Sequence, residues 1–276
     1  MKLVFVIAIV AIIIYTFRDS AGPILKELST TAPWVVITIC GAGVMYNVVE
    51  GWINYSFAKQ YNPQFTYRMG VESAFYCSFY RVATLGSGAG VAAVYYFNEK
   101  GIPVFQGTGM YMVEYAIHKV TIAIFSIIFF LLNFGFMKEH YSEYFNLLIA
   151  GYVLTAVIAT ALLLFCCSKK FHGILLFLVD KLNRKGKFDA QAAMLREQCG
   201  ILEDAAGMLL TKGKLIASIV AKNLLKFAFC YGIPFVILYR EYGLTLLQSW
   251  AVTSLAFMLA AVIPSPAGIG SSEFVF

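Results

Sequence analysis

Charged and amide side chains recur inside the most apolar stretches of this chain. Within residues 32–57, Gly43, Asn47, Glu50 and Asn54 follow one another at spacings of four, three and four. These spacings place them on one face of a helix. Polar groups are costly in lipid, so that face must contact protein or water. We expect its side chains either to line a polar groove or only to hold helices together.

A single arginine lies inside another apolar segment, residues 71–97. Arg81 should sit near the middle of a bilayer, about 15 Å along a helix that begins near residue 71. A guanidinium at that depth needs a partner. Phosphate is one such partner, because a guanidinium binds it through two parallel hydrogen bonds. An ion pair with Glu50 or Glu114 is the alternative.

Three ionisable residues stand close together in the segment 108–136. Glu114 and His118 share a helix face at the four-residue spacing, and Lys119 lies one position further round. These groups suit pairing with a charged ligand or relaying protons. They equally suit an interhelical hydrogen-bond network.

Two apolar segments are interrupted by glycine, serine or proline, at residues 84–90 and 263–273. Proline and glycine interrupt a helix, and irregular backbone at membrane depth survives only inside protein or beside a wet cavity. In the first break, residues 84–90, the backbone N–H groups could bind an anion, or the small residues could let helices pack closely. Glu273 could bind a cationic headgroup, or it could form a structural cap or ion pair within the protein. The residues of both breaks that we assign to the site are Gly86, Ser87, Gly88, Pro264, Pro266, Gly268, Gly270 and Glu273.

The composition is that of a membrane protein. Hydrophobic residues make up 60% of the 276, charged residues 13%, and mean hydropathy is +0.76. So little polar surface cannot coat a soluble globule. The net charge of +6 does not indicate nucleic-acid binding, since most of the excess lies in one loop, 169–214. The six cysteines lack a C-x-x-C pair and the three histidines lack ligand spacing. We therefore expect no metal site, cofactor or catalytic residue.

The apolar runs predict a single all-α transmembrane domain over residues 1–276. Residues 71–84 give about 21 Å of helix, short of the roughly 30 Å hydrocarbon core, so a re-entrant pair of half-helices is favoured. Two such segments entering from opposite faces would form an inverted repeat. The predicted spans are 3–17, 32–57, 108–136, 145–165 and 216–239; the predicted re-entrant segments are 71–97 and 246–276; residues 171–214 are predicted to form a basic amphipathic cytoplasmic hairpin.

The distribution of positive charge predicts the orientation. Nine Lys or Arg residues lie between Lys169 and Lys214, which places the 167–215 loop and the N-terminus in the cytoplasm. If residues 71–97 re-enter, Lys59 and Arg68 also lie on the cytoplasmic side. A full span there would move both to the other side.

Two sequence signatures resemble those of a known family. The run RVATLGSGAG at 81–90, with YY at 95–96 and KGI at 100–102, is similar to the first signature of the flippase-like integral membrane family. That family is the transmembrane region of lysylphosphatidylglycerol synthase, the multiple peptide resistance factor. The run PSPAGIGSSE at 264–273 resembles its second signature, although Ser265 and Ala267 depart from the usual pattern. Family members continue beyond the position of Phe276, so we expect a truncated sequence.

The resemblance implies a bacterial inner-membrane protein that binds and moves an anionic or aminoacylated phospholipid, such as lysylphosphatidylglycerol. It also implies an aminoacyltransferase domain that is separate or missing. The resemblance is compatible with a homo-oligomer. The alternative is phosphatidylglycerol lysyltransferase or its membrane subunit, linked to resistance against cationic antimicrobial peptides. A membrane scaffold without transport is a third hypothesis, in which Arg81 and Glu50 would be replaceable by apolar residues.

Overall fold

Helices account for nearly all of the described chain. The computed structural model describes residues 22, 25–26, 29–84, 88–142, 145–183 and 189–260, and these ranges contain no strand. The helices are α1 (Pro33–Ala58), α2 (Tyr67–Ala83), α3 (Ala89–Glu99), α4 (Val104–Leu132), α5 (Phe134–His140), α6 (Phe145–Cys167), α7 (Lys169–Leu182), α8 (Asp189–Leu209), α9 (Gly213–Tyr231), α10 (Ile233–Tyr242) and α11 (Leu246–Ala260).

Three helical stretches are long and apolar enough to cross a membrane: Pro33–Ala58, Val104–Leu132 and Gly213–Tyr239. They confirm the prediction of an all-helical, multi-pass membrane protein. The predicted span 216–239 is divided into α9 and α10 at Gly232, because Pro234 in the first turn of α10 cannot donate to the preceding turn. The predicted span 3–17 lies outside the described residues, as does the second half of the segment 246–276, residues 261–276.

Helices α1 and α2 form a tightly packed antiparallel pair. A Cβ atom on Gly51 would lie 2.4 Å from Val71 Cα, and one on Gly70 would lie 2.3 Å from the Gly51 carbonyl oxygen. Only hydrogen fits at either position, so the two backbones approach as closely as small residues in membrane helices allow. Asn54 Nδ2 donates to Ser73 Oγ at 2.9 Å in the same buried interface.

Helices α2 and α3 return the chain to the end from which it came. Asn62, which precedes α2, donates to the Lys100 carbonyl oxygen, which follows α3, at 2.8 Å. Lys212, at the start of α9, donates to Gln60 Oε1 at 2.7 Å. The links 59–66, 100–103 and 210–212 therefore lie at one end of the bundle, which we call the basic end for its lysines and arginine: Lys59, Arg68, Lys100, Lys212 and Lys214.

Helix α4 is the central helix, in contact with α3, α6, α8, α9 and α11. Its approach to α8 is close: a Cβ atom on Gly109 would lie 2.6 Å from Ala205 Cβ. Leu202 and Leu209 of α8 are buried in the largest apolar core cluster, with Val113 of α4. Leu202 and Leu209 of the predicted amphipathic segment thus face the bundle.

The predicted hairpin 171–214 forms two helices with different surroundings. Helix α8 packs on α4, whereas α7 leaves Ile174, Phe177 and Leu178 exposed. His172 of α7 is buried and its Nδ1 lies 2.8 Å from Glu203 Oε1 of α8. That hydrogen bond, with the nearby Lys169 ammonium, lowers the pKa of Glu203 below its ordinary value of 4.5.

Candidate functional site

A buried ion pair joins the two long helices α1 and α9. The Lys226 ammonium donates to the Glu50 carboxylate, and their side chains are 0% and 13% exposed. The same ammonium lies 3.0 Å from His118 Nδ1 of α4. Since a lysine ammonium can only donate, His118 accepts through Nδ1 and carries its proton on Nε2, so the ring is neutral. Three helices are therefore linked through one cation.

Position along the helices puts this pair at the middle of the bundle. Lys226 lies about 20 Å from the start of α9, and Glu50 lies about 12 Å from the end of α1. Sequence reasoning identified Glu50 and His118 but missed Lys226. The signal was available, because Lys222 and Lys226 have the same four-residue spacing inside an apolar run that identified the polar face of α1.

An open groove lies beside the ion pair, where α1 meets α2, the end of α9 and the start of α10. It encloses about 280 Å³ and has mostly apolar walls. The residues that line it are Ala42, Gly43, Tyr46, Asn47, Ser78, Arg81, Val82, Cys230 and Ile233. Arg81 and Asn47, both selected from the sequence, thus share one cavity, and Tyr46 of this groove was not predicted.

Arg81 supplies the only basic side chain among the residues that line this groove. It lies about 21 Å along α2 and beside the Tyr46 hydroxyl. Glu50 is within electrostatic range but pairs with Lys226 instead. Among the described residues no carboxylate comes within 4.0 Å of Arg81. The structural pair that the sequence offered as an alternative is not formed in this conformation.

Glu114 and Lys119 complete the charged surroundings. Glu114 is buried, 8% exposed, and within electrostatic range of Glu50, Lys226 and Arg81. Lys119 lies with its ammonium 5.3 Å from the Tyr115 ring centroid and within range of Arg81. This part of the chain holds three basic side chains, Arg81, Lys119 and Lys226, and two carboxyl groups, those of Glu50 and Glu114. Basic side chains therefore outnumber carboxyl groups around the groove.

The two asparagines of α1 serve the helix pair. Asn54 is buried and donates to Ser73. Asn47 accepts a hydrogen bond from Ser78 at 2.5 Å and donates to the Gly43 carbonyl at 2.9 Å, while lining the groove. Asn54 therefore matches the helix-holding alternative, and Asn47 has both an interhelical bond and a place on the groove wall.

Asn223 of α9 is a polar group that the sequence analysis passed over. It is fully buried beside His118. Its side chain lies within hydrogen-bonding reach of the His118 ring. Asn223 thus adjoins the polar network of Lys226, Glu50 and His118.

The two described glycines of the first break, Gly88 and Gly90, contact other protein groups. The Gly88 N–H donates to Thr84 Oγ1 at 2.6 Å, and a Cβ atom on Gly90 would lie 2.8 Å from the Tyr111 ring. The Gly88 amide is thus not open to an anion. The other break residues assigned from the sequence lie outside the described residues: Gly86, Ser87, Pro264, Pro266, Gly268, Gly270 and Glu273.

Comparison with known proteins identifies a family. Searches of curated proteins and of solved structures find nothing similar. The family model described as the lysylphosphatidylglycerol synthase TM region matches residues 2–276. That range includes α1, α2 and α9, which carry the groove and the buried pair. The chain therefore belongs to the lysylphosphatidylglycerol synthase transmembrane-region family.

Proposed function

We propose that this protein binds a phospholipid through its headgroup in the groove and moves it across the bilayer. The observation that carries the proposal is Arg81, an arginine on the wall of an open, mostly apolar groove with no carboxylate partner in the described chain. A lipid phosphate would give the guanidinium a bidentate partner and neutralise the surplus charge around it. The acyl chains would remain in the surrounding lipid.

The arrangement of the helices supports a path for such a headgroup. We propose that the α2–α3 hairpin re-enters from the cytoplasmic side of a bacterial inner membrane, since its two ends lie at the basic end. The broken segment after α11 would supply the opposite half of an inverted repeat. A headgroup reaching Arg81 would then be near the middle of the membrane.

Family membership favours phosphatidylglycerol or its lysyl ester as the lipid. Phosphatidylglycerol would offer its phosphate to Arg81. A lysyl ester would add ammonium groups, for which Glu114 is a buried carboxylate without an ion pair among the described side chains. The second candidate function, the membrane subunit of a phosphatidylglycerol lysyltransferase, is favoured by the family name and requires the same headgroup site.

The test is transbilayer movement of headgroup-labelled phosphatidylglycerol and lysylphosphatidylglycerol in proteoliposomes. We expect the wild type to accelerate movement, Arg81→Ala to abolish the acceleration and Arg81→Lys to recover part of it. Arg68→Ala is the matched control, because Arg68 pairs with Glu72 at the exposed end of the same helix. Acceleration that survives in folded Arg81→Ala protein would refute the assignment of the phosphate. A lack of acceleration by the wild type with either lipid would refute transport.

A further inference from the structure

Lys222 is a buried lysine whose charge has no counter-ion in the described chain. It lies in the seam between α1 and α9 and is 8% exposed. Its ammonium donates to Ser56 Oγ at 2.6 Å and lies 4.6 Å from the Trp52 ring centroid. Neither partner is an anion. Lys226, one turn further along α9, has Glu50; Lys222 has no equivalent.

One neighbour of Lys222, Trp52, lies on the outer surface of the helix bundle. Trp52 is 45% exposed, and its indole N–H has no hydrogen-bond partner among the residues that the structure describes. Trp side chains of this kind, apolar with one donor, are typical of the headgroup level of a bilayer. Lys212, which bonds Gln60 at the basic end, adds a second cation along the same seam.

We propose that Lys222, Ser56 and Trp52 form a second phospholipid site, which takes the phosphate of an anionic lipid. Lys222 has ammonium protons left for the phosphate, and the Trp52 indole N–H supplies another donor. The phosphate replaces the missing counter-ion of a cation that lipid cannot solvate.

This site is separate from the groove. Ser56 and Tyr46 are ten residues apart on α1, which is about 15 Å along the helix axis. The second site lies nearer the basic end, at the level of one lipid leaflet, and the groove lies deeper. The proposal rests on the membrane setting of the family and not on lipid movement.

The experiment is photolabelling of the whole protein in bilayers with a phosphatidylglycerol that carries a diazirine in its headgroup, followed by peptide mapping. We expect label on residues 52–56, lost about tenfold in Lys222→Met and kept in Lys222→Arg. Lys214→Met is the matched control, because Lys214 is exposed at the start of the same helix. Arg81→Ala should keep the label at 52–56 while losing label in the groove, which separates this proposal from the function proposed above.

A competition experiment with unlabelled lipids uses only the wild-type protein, so it does not depend on whether a variant folds. Unlabelled phosphatidylglycerol should displace the label at 52–56, whereas zwitterionic phosphatidylcholine and millimolar inorganic phosphate should not. Equal displacement by phosphatidylcholine would overturn the preference for an anionic lipid. Displacement by inorganic phosphate would make the site one for a small anion. Unchanged labelling in folded Lys222→Met protein would show that Lys222 only extends towards water and would overturn the site.

Discussion

At the scale of single residues, one cation holds the site together. Lys226 contacts Glu50 and His118 on two other helices while its own side chain is fully buried. Removal of one partner from a buried pair costs about 3–5 kcal/mol, because the other charge stays in a low-dielectric interior. Replacement of both partners costs far less.

We therefore predict that Lys226→Met strongly destabilises the protein, by about 3–5 kcal/mol, and that the double variant Lys226→Met with Glu50→Gln recovers most of this loss. Reversible unfolding in detergent measures both. Lys214→Met, at an exposed site on the same helix, should leave stability unchanged within about 0.5 kcal/mol. A single variant as stable as the wild type would contradict the pairing of Glu50 with Lys226.

At the scale of secondary-structure elements, glycine contact positions α2, and with it Arg81, against α1. Gly51→Ala would place a methyl group 2.4 Å from the Val71 backbone, which cannot move away as a side chain would. We predict a loss of about 1–3 kcal/mol in stability and a parallel loss of headgroup binding. Gly41→Ala, in the same helix with open space around it, should be neutral or stabilising. Equal unfolding midpoints for the two variants would rule out the close approach.

The contact between α7 and α8 should depend on pH through Glu203. Its pKa lies below the ordinary 4.5 because His172 donates a hydrogen bond to it and Lys169 lies nearby. A lowered carboxyl pKa stabilises the contact above about pH 4.5, and that stability is lost as pH falls through the folded-state pKa. We predict that hydrogen-exchange protection factors in α7, which correct for the intrinsic pH dependence of amide exchange, are lower near pH 3 than near pH 7. This drop should be absent in Glu203→Gln and retained in Glu197→Gln. Equal protection factors in α7 of the wild type at the two pH values would contradict this.

At the scale of the whole molecule, the sequence predicted the helices well and the contacts between them less well. Apolar runs determine helices locally, so α1, α4 and the paired α2 and α3 lie close to their predicted positions. Which face of one helix meets another depends on distant side chains. Glu50 could have paired with Arg81 on charge alone, and only the packing of α9 against α1 brings Lys226 to it.

The residues that line the groove were also only partly predictable from the sequence. Arg81 and Asn47 were identifiable because charged and amide groups are rare in apolar segments. Tyr46, Cys230 and Ile233 have no such signal, since aromatic and aliphatic side chains are common in every span. Four helices, α1, α2, α9 and α10, together form the wall of this groove, so the sequence of any one helix cannot predict it.

In the proposed function, a lipid phosphate occupies the groove at Arg81. An experimental structure of the protein in phosphatidylglycerol nanodiscs would show this phosphate. We predict density for a phosphate within hydrogen-bond distance of the Arg81 guanidinium, between α1 and α2 and beside Tyr46. A groove closed by protein side chains, with Arg81 paired to Glu50 or Glu114 and no lipid headgroup inside, would refute this binding site.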